Sequence, residues 1–241
     1  MTDIIEELGY ITEGLKKKLI PIIAVIFAGF AVSFRFLDPV LFKIKQDLLP
    51  EGATLIYISP AEVIMLKLKI AIVIGIILAL PIIGYYVYKT LKVRLGIRNP
   101  MKKSRLIILL TSAIILFISG ACYSYFLMLP LVLSYLHYLS ASAGVVATYS
   151  IYEFISFVIT LTLILGIAFE VPLIIIFAVQ LGLVQIATLK EYRRYVIVAI
   201  FVLAAIFTPP DVVSQLMVAF PLIICYEIGI IVASIISKRH L

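Results

Sequence analysis

The chain has no tryptophan, only two cysteines, and 13 acidic residues against 20 lysines and arginines. Each shortage excludes something. Cys122 and Cys225 lie in apolar stretches with no metal-ligand spacing and no disulfide framework, and read as small buried hydrophobes. His137 has no ligand partners at suitable spacing, so no metal site is predicted. There is no His-Glu-x-x-His zinc pair, no Gly-x-Ser-x-Gly elbow, no Walker-type phosphate loop and no pair of aspartates in apposed spans. The prediction is a non-enzyme with no cofactor. The charge excess of +7 gathers at the ends of apolar runs, as in membrane loops, and no nucleic-acid partner is expected. Internal repeats and low-complexity segments are also absent.

What is present is apolar surface. The chain is 64% hydrophobic, with a mean hydropathy of +1.22. Soluble domains run nearer half apolar, so the solvent here is lipid. A crossing helix needs about 20 apolar residues. This predicts an all-α integral membrane protein, one domain over residues 1–241, with six spans near 19–36, 61–88, 106–129, 152–183, 195–207 and 212–236. The N-terminal segment leads into a full-length span rather than a short signal peptide, and is expected to be retained. Fifteen of the 20 basic residues fall on one side: Lys16–Lys18, the run from Lys89 to Arg105, then Lys190, Arg193 and Arg194, then Lys238 and Arg239. By the positive-inside rule both termini are cytoplasmic and the protein is a multi-pass component of the cell membrane.

Polar interruptions mark the candidate sites. FTPPDVVSQ, residues 207–215, separates the last two spans. Pro209 and Pro210 stop the fifth helix at the outer face, and Asp211 is placed to cap the sixth. The fifth span, about 13 residues and thus about 20 Å, is shorter than a bilayer core, so either the helix sits below the outer surface or the membrane thins around it. Gln215 and Thr208 flank the turn, where they could meet across it. Glu170 lies within the fourth span, and Pro172 after it invites a kink. Glu227 lies in the inner half of the sixth span and is expected to reach a cytoplasmic cation by pairing or snorkelling. Glu62 and Glu153 read as first-turn acids at the outer side, while Lys67 and Lys69 would snorkel outward. Of the outer loops, residues 38–60 hold an amphipathic stretch, VLFKIKQDLL, suited to the interface. Residues 130–151 offer Tyr135, Tyr138, Tyr149 and Tyr152 as headgroup anchors. Ahead of the first span, Glu6, Glu7 and Glu13 form an acidic inner rim able to pair with guanidinium groups.

The order SPAE (59–62, with Pro60), FEVP (169–172), FTPPDVVSQ and YEIG (226–229) resembles the TatC family, the core membrane component of the twin-arginine protein translocase. The resemblance covers the whole chain. It implies a concave, glove-like bundle with an outer cap, and a receptor that binds twin-arginine signal peptides at its cytoplasmic side. It further implies small single-span Tat partners, a homo-oligomer in the complex, contact with membrane lipid, and export of folded proteins driven by the proton-motive force. The family's buried glutamate matches Glu170. Its partner-contact polar residues match Thr208 and Gln215, and its outer-turn aspartate matches Asp211. The N-terminal family pattern Glu-Leu-Arg-x-Arg is replaced by TEGLKKKL, with Lys16 and Lys18 where the arginines stand and Glu13 one position early. Residues 89–105 contain no acid, where the family has a glutamate; Glu6, Glu7, Glu13 and Lys16, with Glu191 in the second loop as a helper, are the remaining candidates for signal-peptide binding. Two other functions compete: a small-solute secondary transporter, and a scaffold that does not transport.

Overall fold

The computed structural model describes residues 2–94, 103–208 and 211–238, with side chains except those of 2–18, 87–88, 91–94, 103–106 and 238. The described chain is helical apart from two three-residue strands and the turns. The helices are α1 (Thr2–Arg35), α2 (Leu37–Leu48), α3 (Glu62–Arg94), α4 (Lys103–Tyr123), α5 (Leu129–Ser142), α6 (Ile151–Ala168), α7 (Val171–Gln180), α8 (Ile186–Glu191), α9 (Arg193–Phe207) and α10 (Val212–Lys238). Among the described residues, four stretches are long and apolar enough to cross a membrane: Glu62–Tyr86, Ile107–Ser142, Ile151–Gln180 and Val212–Ser237. Leu19–Arg35 and Leu37–Leu48, bent by 68°, make a fifth if taken together. The protein is a multi-pass, all-helical membrane protein.

The chain divides into two compact units. The first holds residues 1–44 and 57–111. In it α1 packs closely along α3. The helices touch at glycines: a Cβ on Gly75 would sit 2.5 Å from the Ile26 carbonyl oxygen, and one on Gly29 would sit 3.0 Å from Gly75 Cα. Small residues at membrane crossings let backbones approach in this way. Lys67, expected to snorkel, instead pairs with Asp38 at 2.6 Å. A carboxylate within one side-chain length is a better partner than distant water.

The second unit holds residues 45–56 and 112–241. Here strand β1 (Thr54–Ile56) lies parallel to β2 (Thr148–Ser150), with Thr54 opposite Thr148. Ser150, in extended conformation, caps α6 by accepting from the Glu153 N–H at 3.4 Å. Helix α4 crosses α6 where Gly166 faces the Phe117 ring and Gly120 faces the Leu165 carbonyl.

The third span does not end near Leu129 as the sequence predicts. Residues 130–142, read as outer loop, are helical. Pro130 lies in the first turn of α5, where a missing N–H costs least. A π-helical segment, Ser124–Met128, links α4 to α5, and the Leu129 N–H reaches back five residues to the Ser124 carbonyl. The wider turn passes the proline without ending the helix. The fourth span is interrupted where Pro172 predicts it. Helix α6 stops at Ala168, Glu170 N–H turns back to the Ile167 carbonyl at 3.0 Å, and α7 restarts at Val171. Gly182, at φ +70°, then closes α7, with Leu183 N–H on the Ala178 carbonyl at 3.0 Å.

Candidate functional site

The two sequence stretches FEVP and YEIG come together in the second unit. Helix α10 runs against α7 so closely that a Cβ on Gly229 would lie 2.9 Å from Pro172 Cα. Around this contact Ile175, Tyr226, Ile230 and Ala233 form a buried cluster, flanked by Val171, Ile186, Leu189 and Val196. The Tyr226 hydroxyl donates to the Leu189 carbonyl at 2.8 Å, tying α8 to α10. One residue on, Glu227 meets Arg193 in a two-pronged pair: Arg193 Nη2 to Oε2 at 2.7 Å and Nε to Oε1 at 2.7 Å. The cation expected for Glu227 is therefore Arg193, at the start of α9. Sequence reading placed Arg193 only among the loop charges, because no periodicity connects positions 34 residues apart.

This pair is half-exposed, so its worth is limited. Arg193→Ala, Glu227→Ala and the double variant, compared by thermal unfolding in detergent, are expected to give a coupling energy of about 1 kcal/mol. A coupling of zero would mean that the fork adds nothing to the stability of the detergent-solubilised protein.

Glu170 sits half-buried at the α6–α7 break, and among the described residues its carboxylate makes no hydrogen bond or ion pair. Its backbone carbonyl accepts from Ile174 at 2.9 Å and starts α7. The adjoining Phe169 ring packs on Tyr123, centroids 5.7 Å apart.

At the far end of α9 lies the turn that separates it from α10. Pro209 and Pro210 fall outside the described residues. Thr208 is buried, extended, and donates its hydroxyl to the Ala204 carbonyl at 2.9 Å. Asp211 Oδ2 accepts from the Ser214 N–H at 2.7 Å, in capping geometry over the first turn of α10. Gln215 does not bond Thr208; its amide Nε2 donates to the Phe201 carbonyl at 2.9 Å. Thr208 and Gln215 thus each spend a hydrogen bond on a backbone carbonyl of α9. Gln215 also borders a shallow groove of about 550 Å³, otherwise lined by Val198, Phe201, Val202, Ala205 and Ile206. These five lie on one face of α9, at spacings of three and four. The sequence reading missed them because every position from Val196 to Phe207 is apolar, so no contrast marks one face.

Helix α9 has 15 residues, or about 22 Å of rise, still short of a bilayer core of about 30 Å. Glu62 and Glu153 occupy first helical turns. Pro60 precedes α3 in the turn where the Glu62 N–H bonds the Ser59 carbonyl. Glu6, Glu7, Glu13 and Lys16 belong to α1 by backbone, but their side chains lie outside the described residues, as does the loop 95–102. Glu191 is exposed at the end of α8. Cys122 and Cys225 are free thiols. No cluster of metal-ligating side chains occurs among the described residues.

The chain is similar to known proteins along nearly its whole length. Residues 11–221 match the family described as Sec-independent protein translocase protein (TatC). A Sec-independent protein translocase protein TatC of Helicobacter pylori (strain J99) is 33% identical over 232 residues, covering 96% of this chain and 90% of that protein. That of Aquifex aeolicus (strain VF5) is 34% identical over 229 residues, covering 93% of each. A crystal structure of the twin-arginine translocase receptor TatC in DDM superposes with a TM-score of 0.81 at 32% identity, over 92% of this chain and 98% of that one.

Proposed function

This chain belongs to the TatC family of Sec-independent protein translocase proteins and is a core membrane subunit of that translocase; from that premise we propose that it is the receptor for twin-arginine signal peptides. The observation that carries this reading is the shared fold, at 32% identity, with a chain described as the twin-arginine translocase receptor. It has no catalytic task. Binding falls to the acidic inner rim of Glu6, Glu7 and Glu13, beside Lys16, where carboxylates pair with the guanidinium groups of the signal. Six crossings with both termini inside follow from the lysine and arginine bias, with α9 as the short fifth. Glu170, Thr208, Gln215 and Glu227 serve contact with small single-span Tat subunits, and Pro60, Glu62, Glu153, Pro209, Pro210 and Asp211 stiffen the outer turns. The assembled complex holds more than one copy and moves folded proteins across the cell membrane at the expense of the proton-motive force.

The test is photocrosslinking from position 13 and its neighbours to a twin-arginine signal peptide, with a twin-lysine peptide as control. Arginine-dependent crosslinks are the expected result. Their absence, in membranes that contain the folded protein and its partners, would remove the receptor assignment and leave a translocase subunit with another task.

A further inference from the structure

We propose that residues 35–43 of the first unit bind the phosphate headgroup of an anionic phospholipid, with Phe36 and Phe42 entering the acyl-chain boundary beside it. The inference rests on the chain's being a multi-pass membrane protein and is independent of the signal-peptide reading.

With α1 taken as the crossing that the sequence predicts at 19–36, and α2 as its departure and not its continuation, the bend places the segment at the bilayer surface. Helix α1 ends at Arg35, and α2 leaves it at 68°. The eight residues Leu37–Ile44 cover about 12 Å of helix axis. With the span tilted by about 20° either way, a 68° departure carries that length only about 0–8 Å along the bilayer normal. The headgroup region on each side of the hydrocarbon core is about 5–8 Å thick. The segment therefore stays at headgroup depth instead of rising into water.

Side chains fit that depth. Leu37 and Ile44, 1% and 8% exposed, hold one face of the helix against the protein. The remaining faces display Phe36 and Phe42, 63% and 70% exposed, with Val40 also exposed. Water would make such display costly, and a lipid surface removes that cost.

Charge selects the lipid. The acid in this segment, Asp38, is taken by Lys67 at 2.6 Å. Arg35 and Lys43 are exposed, and among the described residues neither makes an ion pair. Two uncommitted cations beside two exposed phenyl rings complement a phosphate attached to acyl chains. A zwitterionic headgroup brings its own cation and gains less from them.

The full chain, purified in detergent, would be titrated with phosphatidylglycerol or with phosphatidylcholine of the same acyl chains, and bound lipid counted by native mass spectrometry. The wild type is expected to retain phosphatidylglycerol with a preference of about ten-fold or more. Arg35→Gln/Lys43→Gln is expected to erase that preference, whereas Arg35→Lys/Lys43→Arg keeps it. Should the double neutral variant fail to elute as folded protein, Lys43→Gln alone is expected to reduce the preference by about half on a logarithmic scale. Equal retention of the two lipids by the wild type, or an unchanged preference in a folded Lys43→Gln variant, would overturn the proposal. Displacement of phosphatidylglycerol by millimolar inorganic phosphate would overturn it too, by assigning the cations to a free anion. A change in copy number or in co-purifying protein, with lipid retention unaltered, would assign the face to a protein contact instead. Crosslinking of the signal peptide from position 13 is expected to persist in the Lys43→Gln variant, so failure here and failure of the receptor reading are separately visible.

Discussion

Gly75→Leu is expected to leave no folded protein in the membrane fraction, while Gly84→Ala, nine residues further along α3, is expected to be tolerated. The difference lies in what each new side chain meets. A Cβ at position 84 would rest 3.7 Å from Leu110 Cδ2, an ordinary contact. A Cβ at position 75 would lie 2.5 Å from the carbonyl oxygen of Ile26, and backbone cannot rotate away as a side chain can. Replacing glycine by alanine within a helix gains about 1 kcal/mol in propensity. Overpacking a fitted interface costs about 1–3 kcal/mol, and more as the inserted group grows. Gly75→Ala should therefore be destabilising in spite of the propensity gain. Gly29→Ala should fall between it and Gly84→Ala, since its Cβ would meet Gly75 Cα and Leu78 Cδ1 at 3.0 Å each. The order of melting temperatures, read from the elution of a fluorescent fusion after heating, checks the series. A Gly75→Ala protein that melts at or above wild type would show that α1 and α3 do not cross this closely in the membrane.

The same glycines mark how far the sequence could be read. Long apolar runs and basic loops give the membrane class, because lipid imposes a length and a polarity that composition must meet. Pro172 gives the break in the fourth span, because a missing N–H acts on its own helix. Pro130 misleads for the same reason: local sequence does not reveal that a π turn at Ser124–Met128 will carry the helix past it. Gly29 and Gly75 look interchangeable with Gly84 until the partner helix is in place. The union of Glu227 with Arg193, of Tyr226 with Leu189 and of Asp38 with Lys67 is likewise tertiary, since neither 3.6-residue nor heptad spacing links those positions. Gln215 was legible as a polar residue beside a turn. Its groove was not, for α9 from Val196 onward is apolar on every face.

Ala205→Phe is expected to stop export while leaving the protein folded and still able to crosslink a twin-arginine peptide from position 13. The α9 face made by Val198, Phe201, Val202, Ala205 and Ile206 is largely exposed, but in lipid an exposed apolar helix face needs no cover. Gln215 at the groove edge is the feature that asks for a partner. Among the described residues its side chain makes one hydrogen bond, to Phe201, out of the four that an amide can form. A single-span helix laid in the groove could satisfy the others, and in hydrocarbon such a bond is worth about 0.6–2 kcal/mol. Gln215→Leu keeps the bulk and loses the bonds, so partner affinity should fall about three- to thirty-fold. Ala205→Phe puts a phenyl ring into the groove that Ala205 lines and should weaken a contact there by about thirty-fold or more. Ile231→Phe, at an exposed apolar position elsewhere on α10, is the matched control and should export normally. Co-purification of the small Tat subunit and an export assay read both variants. Wild-type export by a folded Ala205→Phe protein would mean that the partner helix docks elsewhere and that Gln215 serves only to hold α10 to α9.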